Sequence, residues 1–394
     1  MRTDKIHFEN RNGLRLEGAM DWPAAPHRAV ALFAHCFTCT KNLKAISHIS
    51  RALTDRGIAV MRFDFTGLGA SEGDFADTTF SSNVTDLTDA ADWLAEQGLA
   101  PAILIGHSLG GTATLMAAAH IQSAVAVATI GSPATPEHVA HLFSDKEADI
   151  KRDGQAEVLL AGRPFTIRDS FLTDLEDQPL DQAVHDLRKA LLVMHSPVDN
   201  TVEISNAQQI FERALHPKSF VSLDHADHLL SNAADSHYAG AVLGAWAERF
   251  LETPELRNHE DGVTATTYAR SFTTSIQSGD HQMIADEPAS VGGANLGPTP
   301  VQLLSAALAS CTSMTLQMYA KHKDIKAERI QVRVTASSER EGQETTTTYV
   351  RDIRIDGDID TATRLRMVEI ADRCPVHRTL HGTVHVQNRL VEAQ

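Results

Sequence analysis

The stretch AILIGHSLGGTATLMAAA, residues 102–119, decides the fold of the first half of the chain. A short apolar run leads into Gly106-His107-Ser108-Leu109-Gly110 and then into an Ala-rich segment, so a G-x-S-x-G pattern joins a predicted strand to a predicted helix. Such a turn forces its central residue into strained backbone geometry, and glycines two positions before and after it let the two backbones pass closely. The pattern predicts that Ser108 is a nucleophile.

A serine hydroxyl is a weak nucleophile and needs a base that is oriented by a carboxylate, in the chain order serine, acid, histidine. Asp199 follows the strand-like run 190–195, at a strand end where the acid is expected. His228 lies in the loop after the last strand-like run, and the apolar Leu229 and Leu230 behind it can anchor that loop. We therefore predict Asp199 as the acid and His228 as the base.

Three neighbours of His228 compete for these two roles. His225 is a rival base, although it leaves the preceding strand at once. Asp224 and Asp227 are rival acids, although each is so near in sequence to both histidines that its carboxylate cannot comfortably reach the far ring nitrogen. The spacing favours Asp199 and His228 over these alternatives.

A developing oxyanion needs two backbone N–H donors, one from the residue after the nucleophile and one from the loop after an earlier strand. We predict that the amides of Leu109 and Phe37 are these donors. Cys36 and Cys39 flank Phe37 and are interpreted as small apolar residues lining this loop, with a redox pair or half of a zinc site as alternatives. The sequence has no second C-x-x-C to complete a zinc site, and neither a metal nor another cofactor is predicted.

Around the Ser108 turn, short β-branched runs alternate with longer amphipathic segments from residue 29 to about residue 252, which is typical of a parallel sheet with crossover helices. Ahead of this region, Asn12-Gly13 predicts a hairpin at the edge of the sheet. Residues 134–189 break the alternation and are interpreted as an inserted lid. The predicted parallel strands are 29–35, 58–64, 102–107, 126–130, 190–195 and 218–223.

The length and the charge of the chain restrict its class. A chain of 394 residues exceeds the size at which a single core stops growing, so two domains are expected. The formal charge of −16 gives a surface that repels a phosphate backbone, and nucleic acid is not expected as a partner. The charged first residues and the short apolar runs favour neither a secretory signal nor a membrane partner, so we predict a cytosolic location.

The residues of the first domain carry a family resemblance. They combine the G-x-S-x-G turn, the downstream acid and histidine, and Asp64-Phe65-Thr66-Gly67-Leu68-Gly69-Ala70-Ser71, which is similar to a structural D-x-x-G-x-G-x-S turn. On these motifs, residues 1 to about 252 resemble the α/β-hydrolase family, of the small-lid esterase and aminopeptidase-like kind. The resemblance implies an α/β-hydrolase fold and a small-molecule ester or acyl substrate.

The pattern changes after the polar segment ETPELRNHEDG, residues 252–262, which is typical of a linker. We predict a first domain over 1–252, a linker over 253–263 and a second domain over 264–394. The second domain shows an α+β pattern with antiparallel strands. Its predicted elements are strands at 264–276, 329–337 and 345–355, helices at 299–321 and 361–372, and a final short strand.

Two cysteines of the second domain lie at places where a thiol can act. Apolar residues recur every three or four positions in the helix 299–321, from Leu304 through Leu308 to Met318, and Cys311 shares this predicted buried face. Cys374 directly precedes a proline at a predicted helix start, where N–H dipoles favour a thiolate. Such a thiolate is reactive where it is exposed.

Asp286-Glu287-Pro288, Gly297-Pro298-Thr299-Pro300, Ala309-Ser310-Cys311-Thr312 and Ala371-Asp372-Arg373-Cys374-Pro375-Val376-His377 resemble the OsmC and organic-hydroperoxide-resistance family, over about 264–392. The resemblance implies an intertwined homodimer with paired cysteines that reduce organic hydroperoxides. By position, Cys311 would form the sulfenic acid and Cys374 would resolve it to a disulfide. As a whole, the chain resembles bifunctional α/β hydrolase/OsmC family proteins.

One departure from that family weakens the peroxidase interpretation. Val301-Gln302 stands where peroxidase members carry a Glu that pairs with an Arg, and Arg270 is only one candidate for that Arg. The leading hypothesis is therefore a serine hydrolase of the carboxylesterase type fused to an OsmC-like dimerisation domain. The alternatives are a cysteine-based organic hydroperoxide reductase with an accessory hydrolase domain, and a noncatalytic protein that binds apolar ligands.

Overall fold

The computed structural model describes residues 2–24, 27–160, 162–176, 178–251, 262–267, 272–342 and 344–390. The chain forms two compact units, residues 1–262 and 263–394, and each unit is described by itself. Most of the predicted linker, and Arg270 as well, lie outside the described residues.

The first unit is built on one large sheet with helices on both faces. Its described strands are β1 (Arg2–Glu9), β2 (Arg15–Trp22), β3 (Ala29–Ala34), β4 (Ile58–Phe63), β5 (Ile103–His107), β6 (Ala126–Ile130), β7 (Gln155–Leu160), β8 (Arg163–Arg168), β9 (Ala190–His195) and β10 (Lys218–Ser222). Its described helices are α1 (Lys44–Thr54), α2 (Phe80–Glu96), α3 (Leu109–Ala117), α4 (Glu147–Asp153), α5 (Asp169–Glu176), α6 (Leu180–His185), α7 (Ser205–Arg213) and α8 (Ala233–Ala247).

The order of the sheet is β1-β2-β4-β3-β5-β6-β9-β10. β1 and β2 pair antiparallel, with Gly13 at a φ of +75° in the turn between them, and β2 pairs antiparallel with β4. Every later neighbour pair, from β4 and β3 to β9 and β10, is parallel. The predicted fold class, a mostly parallel α/β-hydrolase sheet with an antiparallel edge, is confirmed.

Both faces of the sheet are buried along its central strands, which explains why these strands, β3, β4, β5, β6 and β9, are nearly all apolar. Along β3, Val30 and Leu32 face the core that contains α2 and α3, whereas Ala31 and Phe33 face the core that contains α1 and α8. The strict alternation follows from the period of two in a strand. The sheet therefore fixes the loops at the carboxyl ends of its central strands.

The residues between β6 and β9 add little to the large sheet. They hold a 3₁₀ turn over Pro136–Phe143, the helices α4, α5 and α6, and a separate hairpin made of β7 and β8. Charged residues at 145–153, which broke the alternation in the sequence, form α4 and the turn before it.

The second unit holds a three-stranded antiparallel sheet and a long hairpin. The described elements are β11 (Val263–Thr267), β12 (Thr274–Ser278), β13 (His281–Ala285), α9 (Pro300–His322), β14 (Ala327–Glu341), β15 (Glu344–Gly357), α10 (Thr361–Ile370) and α11 (Pro375–His381). The prediction of one strand over 264–276 is wrong, because β11 and β12 are separate strands paired antiparallel. Among the helices of the described segments, none has the length and apolar character needed to cross a bilayer.

The predicted final strand is also wrong, because residues 383–390 form no regular secondary structure. A strand needs a neighbour to accept its hydrogen bonds, and the structure pairs no strand with this segment in the described part of the single chain. Val386 and Leu390 in this segment are exposed.

The buried face of α9 differs from the one predicted. The fully buried stripe runs through Leu308, Thr312, Leu316 and Ala320, whereas Met318 is 73% exposed. Cys311 is only partly exposed, beside this stripe. The reason is that the core of this unit is small and covers one stripe of the helix rather than its whole apolar face.

Candidate active site

Ser108 occupies the turn between β5 and α3 with a φ of +55°, a conformation that non-glycine residues rarely adopt. A Cβ atom at Gly106 would lie 2.3 Å from the Cα atom of Gly111, and one at Gly110 would lie 2.2 Å from the carbonyl oxygen of His35. Only glycine fits at these two positions. The close packing of strand and helix thus holds Ser108 at the carboxyl end of β5.

The side chains of Ser108, His228 and Asp199 form one hydrogen-bonded chain. His228 Nε2 lies 2.9 Å from Ser108 Oγ, and His228 Nδ1 lies 2.7 Å from Asp199 Oδ2. The three residues follow β5, β10 and β9, and the carboxyl ends of parallel strands meet at one edge of the sheet. Because Nδ1 donates to the carboxylate, Nε2 is free to accept a proton from the serine hydroxyl.

The carboxylate of Asp199 is buried and accepts several hydrogen bonds. Its Oδ1 accepts the amide N–H groups of Thr201, at 2.8 Å, and of Val202, at 2.9 Å. Burial acts to raise the pKa of Asp199, but the hydrogen bond from His228 and those two amides outweigh burial and lower it. The group is therefore a charged carboxylate at neutral pH, suited to stabilise a protonated imidazole.

The rivals for these roles lie apart from this chain. His225, Asp224 and Asp227 are all exposed. Both aspartates are hydrogen-bonded to serines of their own loop. Within the segments that the structure describes, no hydrogen bond joins any of the three to Ser108 or to the ring of His228.

The loop of His228 is anchored differently from what we expected. Leu230 is buried, but Leu229 is 40% exposed and does not anchor the loop. A second anchor is His107, whose Nε2 donates to the carbonyl oxygen of His228 at 2.7 Å. Burial, and then the nearness of His228, lowers the pKa of His107 to about 3, so this ring stays neutral. The sequence analysis missed this role, although His107 directly precedes the nucleophile.

The amides predicted to hold an oxyanion belong to Phe37, after β3, and to Leu109, at the start of α3. The two residues are buried, yet in the described ranges no hydrogen bond uses either N–H group. Buried N–H groups without a partner are rare in folded proteins. Both N–H groups are thus uncommitted in the described ranges, and their role as oxyanion donors stays a prediction.

Cys36 and Cys39 are joined by a disulfide, so their interpretation as two separate small apolar residues is wrong. The amide N–H of Cys39 donates to the carbonyl oxygen of Cys36 at 3.0 Å, which closes a turn. This turn brings the two Cα atoms to 5.2 Å, a normal separation for bonded cysteines. The C-x-x-C pattern alone left several alternatives open, because the geometry depends on this local turn.

A buried ion network holds the far end of the same loop. Lys41 Nζ lies 2.5 Å from Asp64 Oδ2 and 2.9 Å from Glu17 Oε1, and the amide of Lys41 donates to Asp64 Oδ1 at 2.7 Å. The hydrogen bonds from Lys5 and Lys41 lower the pKa of Glu17 to about 2. A Cβ atom at Gly69 would lie 2.1 Å from Asp64 Oδ2, so the glycine-rich turn is shaped around this carboxylate.

Aromatic side chains surround Phe37. Its ring centroid lies 5.5 Å from that of Phe75 and 5.2 Å from that of Phe171, which belongs to α5. Arg163, at the tip of the β7–β8 hairpin, donates a hydrogen bond to the carbonyl oxygen of Thr38. The segment between β6 and β9 thus contacts the loop that carries the Phe37 amide.

In the second unit, the thiols of Cys311 and Cys374 lie close enough for each to shift the pKa of the other. Burial, and then donation to Cys374, raises the pKa of Cys311. For Cys374, burial acts upward, but hydrogen bonds from Cys311 and from the amide of His377 outweigh burial and lower the pKa. The order implied by the family resemblance, in which Cys311 forms the sulfenic acid and Cys374 resolves it, stays a prediction.

Arg351, on β15, is hydrogen-bonded to residues that neighbour these cysteines in sequence. Its guanidinium donates to the carbonyl oxygen of Ala371 at 2.9 Å, to Thr312 Oγ1 at 3.3 Å and to Asp372 Oδ1 at 2.6 Å. Arg351 therefore connects the segment that carries Cys311 to the segment that carries Cys374. The sequence analysis did not find Arg351, because it resembles any other charged residue of an exposed hairpin.

Within the described residues, the side chain of Gln302, at the place of the absent Glu, is hydrogen-bonded to no basic side chain. Val301 is 60% exposed, and the side chain of Gln302 accepts the amide N–H of Thr299 as part of a helix cap. The carboxylate that pairs with Arg351 belongs to Asp372. Its signal in the sequence was its position two residues before Cys374.

Comparison with known proteins agrees with both halves of this description. The alpha/beta hydrolase family matches residues 31–235, and the OsmC-like protein family matches residues 292–388. The mouse palmitoyl-protein thioesterase ABHD10, mitochondrial, is 30% identical over 192 residues, which are 46% of this chain and 62% of that protein. Its human counterpart is 26% identical over 187 residues, 45% of this chain and 60% of that protein. The chain thus spans less than two thirds of the length of these relatives.

Solved structures give the same result. The esterase domain of a Rhodothermus marinus protein is 50% identical, has a TM-score of 0.54, and is covered over its full length by 64% of this chain. Alpha/beta hydrolase domain-containing protein 10 from mouse is 20% identical with a TM-score of 0.52, over 62% of this chain and 99% of that chain, and indicates the shared fold alone. The chain therefore belongs to the alpha/beta hydrolase family, and an OsmC-like domain follows its hydrolase unit.

Proposed function

We propose that the first unit is a serine hydrolase of the carboxylesterase type that cleaves esters or thioesters through an acyl-enzyme. One observation carries the proposal: Ser108, His228 and Asp199 form a continuous hydrogen-bonded chain, with His228 Nε2 2.9 Å from the serine oxygen. A base that is within reach of the nucleophile, and is itself oriented by a charged carboxylate, is what activation of a serine requires.

Each residue has one task in the proposed reaction. His228 Nε2 accepts the hydroxyl proton while Ser108 Oγ attacks the carbonyl carbon, and the amides of Phe37 and Leu109 bind the resulting oxyanion. The protonated imidazole, stabilised by Asp199, then donates its proton to the departing alcohol or thiol. Water, deprotonated by the same histidine, hydrolyses the acyl-serine and restores the enzyme.

The surroundings of Phe37 favour an apolar acyl group. The rings of Phe37, Phe75 and Phe171 form an aromatic cluster beside the proposed oxyanion donor. The esterase name of the Rhodothermus marinus structure and the thioesterase name of the mouse relative support these two substrate classes. The cytosolic location stays a prediction. The mitochondrial location given in the name of the mouse relative refers to that protein.

A fluorophosphonate probe and matched acyl substrates test this proposal. We expect the wild-type chain to be labelled by the probe, and to hydrolyse p-nitrophenyl esters and acyl thioesters from acetyl to palmitoyl. Where the acyl chain is buried, kcat/KM should rise by about fourfold per methylene. Absence of labelling together with absence of turnover on every substrate would contradict the proposed function.

We also propose that a second copy of the chain covers the exposed apolar surface of the second unit. Met314 and Met318 on α9 are 64% and 73% exposed, and Leu365 on α10 is 63% exposed. The backbone N–H and C=O groups of residues 383–390 are also not paired with any described strand of the same chain. A homodimer would bury this surface, which is otherwise costly to leave in water.

A pair of charge substitutions in the full chain tests the homodimer. We expect Met318→Lys to shift the chain from dimer to monomer, because the new ammonium would be buried at the interface. Leu159→Lys is the matched control, since Leu159 is 72% exposed but lies in the hairpin of the first unit. Sedimentation velocity measures both. A Met318→Lys chain that dimerises as tightly as the control would argue against this interface.

A second candidate function, reduction of organic hydroperoxides, is favoured by the nearness of the Cys311 and Cys374 thiols and by the hydrogen bonds of Arg351 to their sequence neighbours Thr312 and Ala371. The thiolate of Cys311 would attack the peroxide, so that an alcohol is released and a sulfenic acid forms on Cys311. The thiol of Cys374 would then attack that sulfur, so that a disulfide and water form. One hydroperoxide thus oxidises two thiols per chain.

We expect cumene hydroperoxide to join Cys311 to Cys374, and the sulfenic acid to be trapped by dimedone at Cys311 in the Cys374→Ser variant. Arg351→Ala should slow this oxidation by about tenfold, the effect of raising the thiol pKa by one unit. Arg354→Ala is the control, because Arg354 on the same strand is exposed and pairs with Asp356. Mass spectrometry gives the products, and thiols that stay unmodified would leave this unit with dimerisation alone.

A further inference from the structure

The disulfide between Cys36 and Cys39 encloses the residue whose amide is the proposed oxyanion donor. On the side of β3, the His35 Nδ1–H donates to the carbonyl oxygen of Cys36 at 2.8 Å. On the other side, the amide and the ammonium group of Lys41 are held by a buried carboxylate. Residues 36–40 therefore lie between two anchored residues, His35 and Lys41. The disulfide joins the first and the fourth residue of this segment.

The position of this disulfide argues against a role in the stability of the whole unit. The stabilisation from a disulfide grows with the length of chain that it closes, and Cys36 and Cys39 are only three residues apart. The backbone hydrogen bond from Cys39 to Cys36 closes the same turn. The covalent bond therefore acts mainly on the local geometry of Phe37 and Thr38.

The two sulfur-bearing residues differ in their access to solvent. Cys36 is 4% exposed, whereas Cys39 is partly exposed. Thiol–disulfide exchange begins with a thiolate that reaches one sulfur and displaces the other. The accessible Cys39 is thus the point of attack, and the buried Cys36 is the leaving thiolate.

We propose that the Cys36–Cys39 pair is an exchange site for dithiols, and that its closed form is the form in which the oxyanion loop is preorganised for hydrolysis. The link to hydrolysis rests on the proposed function. A thiolate of the dithiol attacks the sulfur of Cys39, the disulfide breaks, and a mixed disulfide forms while Cys36 leaves as a thiolate. The second thiol of the dithiol then releases Cys39, so that two electrons and two protons pass to the pair and the dithiol becomes a cyclic disulfide.

Opening of the disulfide affects two contacts at once. The Phe37 amide loses the constraint that fixes it for the oxyanion, and the Thr38 carbonyl, which accepts Arg163 of the β7–β8 hairpin, is released with it. Loss of one oxyanion donor lowers kcat by about 10²- to 10³-fold in a serine protease. A donor that is present but no longer fixed should cost less, so we expect a fall in kcat of roughly tenfold to a hundredfold.

The full chain with Cys311→Ser and Cys374→Ser isolates this pair, because Cys36 and Cys39 are then the only cysteines. The protein is equilibrated in mixtures of reduced and oxidised dithiothreitol and desalted under argon. The kcat for p-nitrophenyl butyrate is measured, and the thiols are alkylated and counted by mass spectrometry. We expect the thiol count and the fall in kcat to depend in the same way on the ratio of reduced to oxidised dithiothreitol. The kcat should recover fully on reoxidation. Tryptophan fluorescence monitors the fold, since Trp22, Trp93 and Trp246 all lie in the first unit.

The Cys39→Ser variant of the same chain provides the matched test. Its kcat should equal that of the reduced pair in every mixture, because the loop cannot close. The proposal is overturned if the pair titrates while kcat changes by less than about twofold, well below the cost of a disturbed oxyanion donor, or if the pair is reduced only when the unit unfolds. If neither the reduced nor the disulfide-bonded chain hydrolyses esters or reacts with a fluorophosphonate, the proposed function is wrong. The proposed link between the disulfide and hydrolysis is then wrong as well. The thiol titration of the folded chain then decides the exchange site on its own.

Discussion

The Ser108→Ala variant is expected to hydrolyse esters and thioesters about 10⁶-fold more slowly than the wild-type chain, the loss that follows removal of the nucleophile from a serine protease. Alanine differs from serine by one oxygen, so the turn between β5 and α3, with its φ of +55°, should form as before. The measurement is kcat for p-nitrophenyl butyrate under saturating substrate, together with labelling by a fluorophosphonate.

A buried serine elsewhere in the unit provides the control for this loss. Ser50, on α1, is fully buried, and its hydroxyl has no hydrogen-bond partner among the described residues. Ser50→Ala should therefore keep both the fold and the rate of the wild-type chain. If Ser108→Ala turned over substrate as fast as Ser50→Ala, the nucleophile would lie elsewhere.

Replacement of the base should cost nearly as much, and it distinguishes two histidines that are three residues apart. His228→Ala is expected to lower kcat by about 10⁶-fold, because a serine without a base keeps its proton. His225→Ala should stay close to the wild-type rate, since His225 is exposed and its ring is not hydrogen-bonded to Ser108. The measurement is again kcat on one ester, with thermal unfolding as the check on folding.

The reverse result would identify His225 as the base. Equal and partial losses in both variants would indicate that the loop after β10, rather than one ring, is needed for activity. The distances favour the first outcome, because His228 contacts both the serine oxygen and the carboxylate of Asp199.

The sequence was sufficient to predict the sheet and the three side chains of the proposed triad, because both depend on local patterns. Apolar runs between amphipathic segments define parallel strands, and Ser108, Asp199 and His228 each follow such a run. The carboxyl ends of neighbouring parallel strands must meet, so residues remote in sequence become neighbours. The order of the strands in the sheet, in contrast, is visible only in the three-dimensional structure.

Features that depend on a single backbone turn or on a distant partner could not be predicted. The bond between Cys36 and Cys39 depends on a turn that two cysteines do not by themselves specify. Arg351 lies on a long hairpin, and its position in the sequence carries no signal of its contacts with Thr312 and Ala371. The exposed face of α9 was misjudged for a related reason, since an apolar stripe indicates burial but not how much of it a small core covers.

The direct pairing of β6 with β9 also bears on how this enzyme can evolve. These strands are neighbours in the sheet, although the hairpin of β7 and β8 and three helices lie between them in sequence. Insertions, deletions and exchanges in that interval leave the register of the sheet unchanged. Natural selection can therefore change the segment that contacts the Phe37 loop, while the strands that carry Ser108, Asp199 and His228 are inherited intact from the flanking gene segments.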